Sequence, residues 1–143
     1  MLYAIAISLL VFSFVTCLFA FWKGGLSERI GAGVILANLL ATMANEALFH
    51  NQLASLAIDG VTALVLLGVA LRFASFWLGA VMLLYALQFA MQAYYIVLER
   101  ARDDLHVTIN NTVWFAISAC LASGTLSAWM GRRASARSTS SGL

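Results

Sequence analysis

Long apolar runs separated by short polar turns give this chain its outline. The first run, Met1 to Trp22, contains no charged residue and stops at Lys23-Gly24-Gly25, a turn signal. The second extends from Ile30 to Phe49 and gives way to His50-Asn51-Gln52. From Leu53 to Leu98 the sequence is almost continuously apolar, interrupted by Asp59 and Arg72. As a single helix this stretch would be about 70 Å long at ~1.5 Å per residue, more than twice the ~30 Å of bilayer hydrocarbon. It has to reverse, and Arg72 to Ser75 is the best place for it. The pattern thus predicts helices over Met1–Trp22, Ile30–Phe49, Leu53–Leu71, Phe73–Leu98 and Leu105–Met130, with a charged loop from Glu99 to Asp104. Each approaches the roughly 20 residues that a membrane span needs. There is no proline, so no helix carries a proline kink or stop.

The expected fold is therefore all-α: a polytopic transmembrane helical bundle of five helices, forming one domain over residues 1–130. Residues 131–143, rich in Ser and Arg, are expected to form a disordered basic cytoplasmic tail. The first run has the length of a signal peptide. It lacks a basic leading segment and is followed by no soluble domain, so a retained helix is expected.

Composition agrees. Of 143 residues, 63% are hydrophobic and 10% charged, where a soluble domain carries about 25% charged residues. Mean hydropathy is +0.94. The formal charge of +2, with no basic helix face, leaves the lipid bilayer rather than nucleic acid as the expected partner. Cys17 and Cys120 stand alone within apolar runs, which fits small buried hydrophobes better than a redox or metal pair.

The positive charges give a direction. With five spans, Lys23, Arg29, Arg72, Arg132, Arg133 and Arg137 fall on one side and Arg100 and Arg102 on the other. The positive-inside rule puts the first group in the cytoplasm, with the N-terminus outside. Trp22 and Trp129 then lie near cytoplasmic helix ends, as interfacial anchors do, and Trp77 lies close to the reversal at Arg72.

Within the apolar runs the polar residues are spaced in a revealing way. The second helix carries Asn38, Thr42, Glu46 and His50 at intervals of four, with Asn45 beside them. The third carries Ser55, Asp59 and Thr62; the fourth Tyr85, Gln88, Gln92, Tyr95 and Glu99; the fifth His106 and Asn110, with Asn111 adjacent. Such spacings place side chains on one helical face. All of these residues lie between mid-membrane and the outer surface, while Leu64–Leu71 and Phe76–Leu84 are almost wholly apolar. A charged group at the bilayer centre costs about 2.5–3.5 kcal/mol on insertion scales. Turning the four stripes toward each other lowers that cost. The expectation is an outward-open pocket of Asn38, Thr42, Asn45, Glu46, His50, Asp59, Gln88, Gln92, Tyr95, Glu99 and Asn110, with the first helix packed at its side. The competing account is that such residues only join helices by hydrogen bonds, worth ~0.6 kcal/mol each on average. That account does not need a carboxylate at Glu46 or Asp59.

Chemistry at such a pocket is only weakly specified. Glu46 and His50, one turn apart, with Asp59 and His106, make an oxygen and nitrogen set suited to a divalent metal. No histidine pair occurs in a metal-binding motif, and no attachment pair for a c-type haem exists. Ser55, His50 and Asp59 lie within ten residues of one another but without a nucleophile elbow, so no catalytic residues are assigned. No cofactor is expected apart from a divalent metal as an option. Gly31, Gly33, Gly60, Gly68 and Gly79 would let helices approach closely, within the chain or against another membrane protein.

The segment Trp22-Lys23-Gly24-Gly25-Leu26-Ser27-Glu28-Arg29-Ile30-Gly31-Ala32 resembles the first loop of a group of small bacterial multi-helix inner-membrane proteins. Asp59, Ala70-Leu71-Arg72 and Phe76-Trp77 resemble the middle of the same group, although Phe73-Ala74-Ser75 replaces a charged residue and a proline there. The resemblance implies a multi-pass protein of the bacterial inner membrane and supplies neither activity nor site residues. Together these features lead to the expectation of a non-enzymatic accessory or binding subunit. The alternatives are a small ion, metal or solute transporter and a metal-dependent membrane enzyme.

Overall fold

A computed structural model describes residues 2–99 and 103–140. It contains five helices: α1 (Leu2–Lys23), α2 (Leu26–Leu48), α3 (Gln52–Phe73), α4 (Phe76–Val97) and α5 (Asp104–Ser140). Four of them, α2 to α5, are long and apolar enough to cross a membrane. In α1 the apolar stretch Ile7–Lys23 is shorter than that measure.

The helices begin and end for local reasons. α2 starts at Leu26, four residues before the expected Ile30, because Glu28 folds back and its Oε2 accepts from the Gly25 backbone N–H at 2.9 Å. That satisfies one of the donors a helix N-terminus leaves open. α3 is capped by Asn51, whose Oδ1 accepts from the N–H of Leu53 at 2.9 Å and of Ala54 at 3.4 Å. Three turns pass through a non-glycine residue with positive φ: His50 (50°), Ala74 (48°) and Glu99 (48°). The reversal falls at Ala74-Ser75, inside the expected interval. α5 does not stop at Met130 but continues to Ser140, so the residues expected to form a disordered tail are helical as far as the structure describes them. Ala, Arg and Ser, with no proline, tolerate helix well enough to extend one that is already nucleated. The end of the expected tail, 141–143, and residues 100–102 of the expected charged loop lie outside the described residues.

Each helix packs on its neighbours in sequence, and α5 returns to α1, so the five close into a ring. Between α1 and α5 the contacts ascend together: Phe12 stacks on Phe115, Ser13 bonds Ser118 at 2.7 Å, and Arg132 reaches the carbonyl of Lys23. This seam is parallel, while the others join helices linked by a turn. One half of the interior is apolar, built on Ile35, Leu66, Leu78, Val81, Ile117 and Leu121. The outer surface is also apolar: Phe76 is 93% exposed and Leu71 77%.

At the apolar end, Trp77 does not project outward as an anchor. Its indole lies between Gly31 of α2 and Gly124 of α5, and Nε1 donates to Glu28 Oε1 at 3.2 Å. Glycine at 31 and 124 is required by this close approach: a Cβ at either would lie 2.7 Å from a ring carbon. Gly60 similarly faces Phe89, whereas nothing lies within 4 Å of a Cβ at Gly68 or Gly79. At Gly31, Gly60 and Gly124 the missing side chain makes room for an aromatic ring rather than for a second backbone.

Candidate functional site

The opposite half of the bundle is polar. Asn38 of α2 sits among three helices. Its Nδ2 donates to Asp59 Oδ1 at 3.0 Å and to Thr62 Oγ1 at 2.9 Å. Its Oδ1 accepts from the Tyr85 hydroxyl at 3.4 Å. The orientation of this amide is dictated by its partners. Thr62 donates its only proton to the Ile58 carbonyl at 2.7 Å, so toward Asn38 it accepts. The other Asp59 oxygen, Oδ2, accepts from Gln92 Nε2 at 2.6 Å. Asp59, 3% exposed, is thus held by one amide from α2 and another from α4.

Nearer the turns a second tier repeats this linkage. Asn45 Nδ2 donates to Ser55 Oγ and to the Asn51 carbonyl, both at 2.8 Å, tying α2 to the start of α3. Gln88 Nε2 donates to Asn110 Oδ1 at 2.6 Å, tying α4 to α5. The Tyr95 hydroxyl donates to Asp103 Oδ1 at 2.6 Å, and the same oxygen accepts from the His106 backbone N–H at 2.9 Å, capping α5. The Tyr95 ring meets the His106 ring edge-on with centroids 4.7 Å apart.

Between these tiers lies a cavity of about 270 Å³, walled by Thr42, Glu46, Ser55, Asp59, Gln88, Gln92, His106, Val107, Asn110 and Trp114. All four stripes contribute. Of the expected pocket residues, Thr42, Glu46, Asp59, Gln88, Gln92 and Asn110 line it. Asn38 stands behind it as a support for Asp59, and Asn45 as a support for Ser55. Tyr95 lines a narrow crevice with Gln52, Gln92, Ile96 and His106.

His50 and Glu99 do not belong to it. Their spacing of four continues the stripes, but the helices end first, at Leu48 and Val97. Both residues occupy turns and are exposed. The expected metal set of Glu46, His50, Asp59 and His106 is therefore not assembled. Among the described residues no three of the His, Cys, Asp and Glu side chains are grouped to hold a metal ion. Ser55, Val107 and Trp114 complete the wall, and sequence reasoning did not assign them to the pocket. Ser55 and Trp114 were nonetheless legible: each continues a stripe, four residues before Asp59 and four after Asn110.

Both glutamines of this wall are incompletely satisfied. Gln88 Oε1 and Gln92 Oε1 are buried without a hydrogen-bond partner, as is Asn45 Oδ1 behind the wall. Burying an amide oxygen unpaired costs about 1–3 kcal/mol. Comparisons with protein-family models, with curated proteins and with solved structures find no match.

Proposed function

We propose that this chain is a multi-pass protein of the bacterial inner membrane whose polar pocket binds a small hydrophilic ligand, acting as a non-enzymatic binding or accessory subunit. The membrane setting is supported by four helices of spanning length and by an outer surface of large exposed side chains such as Phe76, Leu71 and Val97. Soluble proteins rarely carry continuous apolar surface of that extent. The resemblance of Trp22–Ala32 to small bacterial inner-membrane proteins supports the compartment. The excess of Lys and Arg at the Lys23 and Arg132 end supports a cytoplasmic location for that end, and an outward location for the pocket.

One observation carries the binding reading. Four helices direct polar side chains at a single cavity, and two glutamines that line it each keep a buried amide oxygen without a hydrogen-bond partner. Residues that served only to join helices would be expected to satisfy one another. The apolar layer of Ile35, Leu66, Val81 and Ile117 beyond the pocket supports binding over conduction, because an ion path would need polar groups there as well. A lipid-side groove of about 450 Å³ between α2 and α3, lined by small residues such as Ala37, Ala41 and Ala57, supports a subunit role.

The test is thermal unfolding of the full chain in nanodiscs against a panel of small polar solutes. Saturable stabilisation that weakens at least tenfold in Thr42→Val or Asn110→Leu supports the pocket. A flat response to every solute would remove it.

A further inference from the structure

We propose that the basic end of the bundle holds a second site, a cradle for the phosphate of one anionic phospholipid. The inference shares only the membrane setting with the reading above and is independent of the polar pocket.

A cavity of about 470 Å³ opens where α1, α2 and α5 meet, at the end of the bundle away from the polar pocket. Its wall gathers three cations from three helices: Lys23 closes α1, Arg29 stands in the first turn of α2, and Arg132 belongs to α5. Arg132 Nη2 donates to the Lys23 carbonyl, which lays the guanidinium across the α1–α2 turn. Its Nη1 lies 3.5 Å from where a Cβ of Gly25 would stand, so glycine there leaves the guanidinium beside open backbone. Lys23 Nζ rests 4.6 Å from the Trp22 ring centroid, a cation–π contact that orients the ammonium and leaves its charge in place.

The charge is not balanced locally. The sequence has six acidic residues, and five of them, Glu46, Asp59, Glu99, Asp103 and Asp104, belong to the polar half and its turns. The sixth, Glu28, does not line the cavity; its two oxygens accept from Trp77 Nε1 and from the Gly25 N–H. Three cations against one carboxylate turned inward leave an excess of positive charge. A phosphate neutralises it, and guanidinium forks match its oxygens.

Apolar surface in the same wall selects a lipid over a dissolved anion. Trp22 is 76% exposed and Leu26 67%, and Trp129 flanks the cavity from α5. Indoles at helix ends sit at headgroup level, and basic pockets between helices at that level take up anionic headgroups. An ion in solution has no use for this rim, whereas a phospholipid lays its glycerol and upper acyl carbons against it. The cavity has the volume of about sixteen waters at ~30 Å³ each, room for a phosphodiester and its polar substituent. Basic residues that only orient a protein in the bilayer need share no cavity. Arg72 is one of that kind: it ends α3 at the same side without lining this wall.

The experiment is native mass spectrometry of the full chain released from nanodiscs of equimolar phosphatidylglycerol and phosphatidylcholine with identical acyl chains. One retained phosphatidylglycerol per chain is expected, favoured at least tenfold over phosphatidylcholine. That preference should fall at least fivefold in Lys23→Gln and in Arg29→Gln. Arg29 is exposed, so its variant keeps the test informative if Lys23→Gln does not fold. Arg72→Gln removes the same charge outside the cavity and should leave the preference within twofold. An equal loss in Arg72→Gln would mean a diffuse surface charge and overturn the inference. So would equal retention of the two lipids, or a preference unchanged in both cavity variants. Displacement of the retained lipid by equimolar glycerol 3-phosphate would assign the cradle to dissolved phosphate esters and overturn the lipid assignment. All these outcomes leave the polar pocket untouched, while failure of the chain to enter nanodiscs would end the membrane reading as well.

Discussion

Replacing Gly124 by alanine puts one carbon where the Trp77 indole already lies. The added Cβ would sit 2.7 Å from Cγ and from Cδ1 and 2.8 Å from Cδ2 of Trp77. Carbon atoms in contact prefer about 3.5–4.0 Å, so the overlap approaches 1 Å against three rigid ring atoms. The ring cannot retreat, because its far edge abuts Gly31 and its Nε1 is bonded to Glu28. Either α5 moves outward, at the ~1–3 kcal/mol typical of overpacking, or the indole swings away and surrenders a hydrogen bond to a buried carboxylate worth about 1.5–3 kcal/mol. Alanine returns about 1 kcal/mol of helix propensity. The net expectation is a loss of up to about 2 kcal/mol, and of about 1–3 kcal/mol relative to a site where only propensity changes. Gly79→Ala is the matched control: nothing lies within 4 Å of its added carbon, so only the propensity gain applies and the change should be neutral or stabilising. The two variants are compared by equilibrium unfolding in mixed micelles. Trp77→Phe, which shortens the ring, should recover part of the Gly124→Ala loss, with a coupling of about 1 kcal/mol in the double-mutant cycle. If Gly124→Ala is as stable as Gly79→Ala, the indole is not clamped and the packing argument is wrong.

Other consequences can be checked alongside. Asn38→Ala strips partners from Asp59 and Tyr85 at once and should cost about 1–3 kcal/mol by the same unfolding measurement, more than the ~0.6 kcal/mol of an average interhelical hydrogen bond. Ala74→Gly should stabilise by about 1 kcal/mol, because residue 74 holds a φ of 48° that glycine adopts at little cost. Ser13→Ala and Ser118→Ala should be non-additive by about 0.6 kcal/mol, since they share one hydrogen bond; full additivity would mean that the α1–α5 contact is elsewhere. In single-cysteine versions of a Cys17→Ala, Cys120→Ala background, Asp104→Cys should react with an impermeant maleimide on intact cells, and Arg133→Cys only after the membrane is opened; the reverse pattern would invert the proposed orientation.

The helices and their reversals were legible because apolar runs of this length have few alternatives, and because residues four apart declare a shared face. That is why Asn38, Thr42, Glu46, Asp59, Gln88, Gln92 and Asn110 could be grouped before any coordinates. The same rule failed at His50 and Glu99: periodicity projects a stripe onward but does not register that the backbone has left the helix, as positive φ at both positions makes plain. It also could not show which helices are neighbours. Glu28 fell between the first two expected helices, yet it meets Trp77, 49 residues away, and Ser13 meets Ser118 across 105 residues. Those pairings depend on the ring arrangement, which no local pattern encodes.

That arrangement has a consequence for biogenesis. α1 and α5 run the same way, so no short connection can staple them, and of the five seams theirs alone waits for distant chain to be made. Until α5 is synthesised, Phe12 and Ser13 have no lasting companion on that side, and a transient chaperone or insertase contact there would fill the interval. Truncation before Asp104 should accordingly strand α1 as a degradation signal, while the hairpins that follow it remain paired.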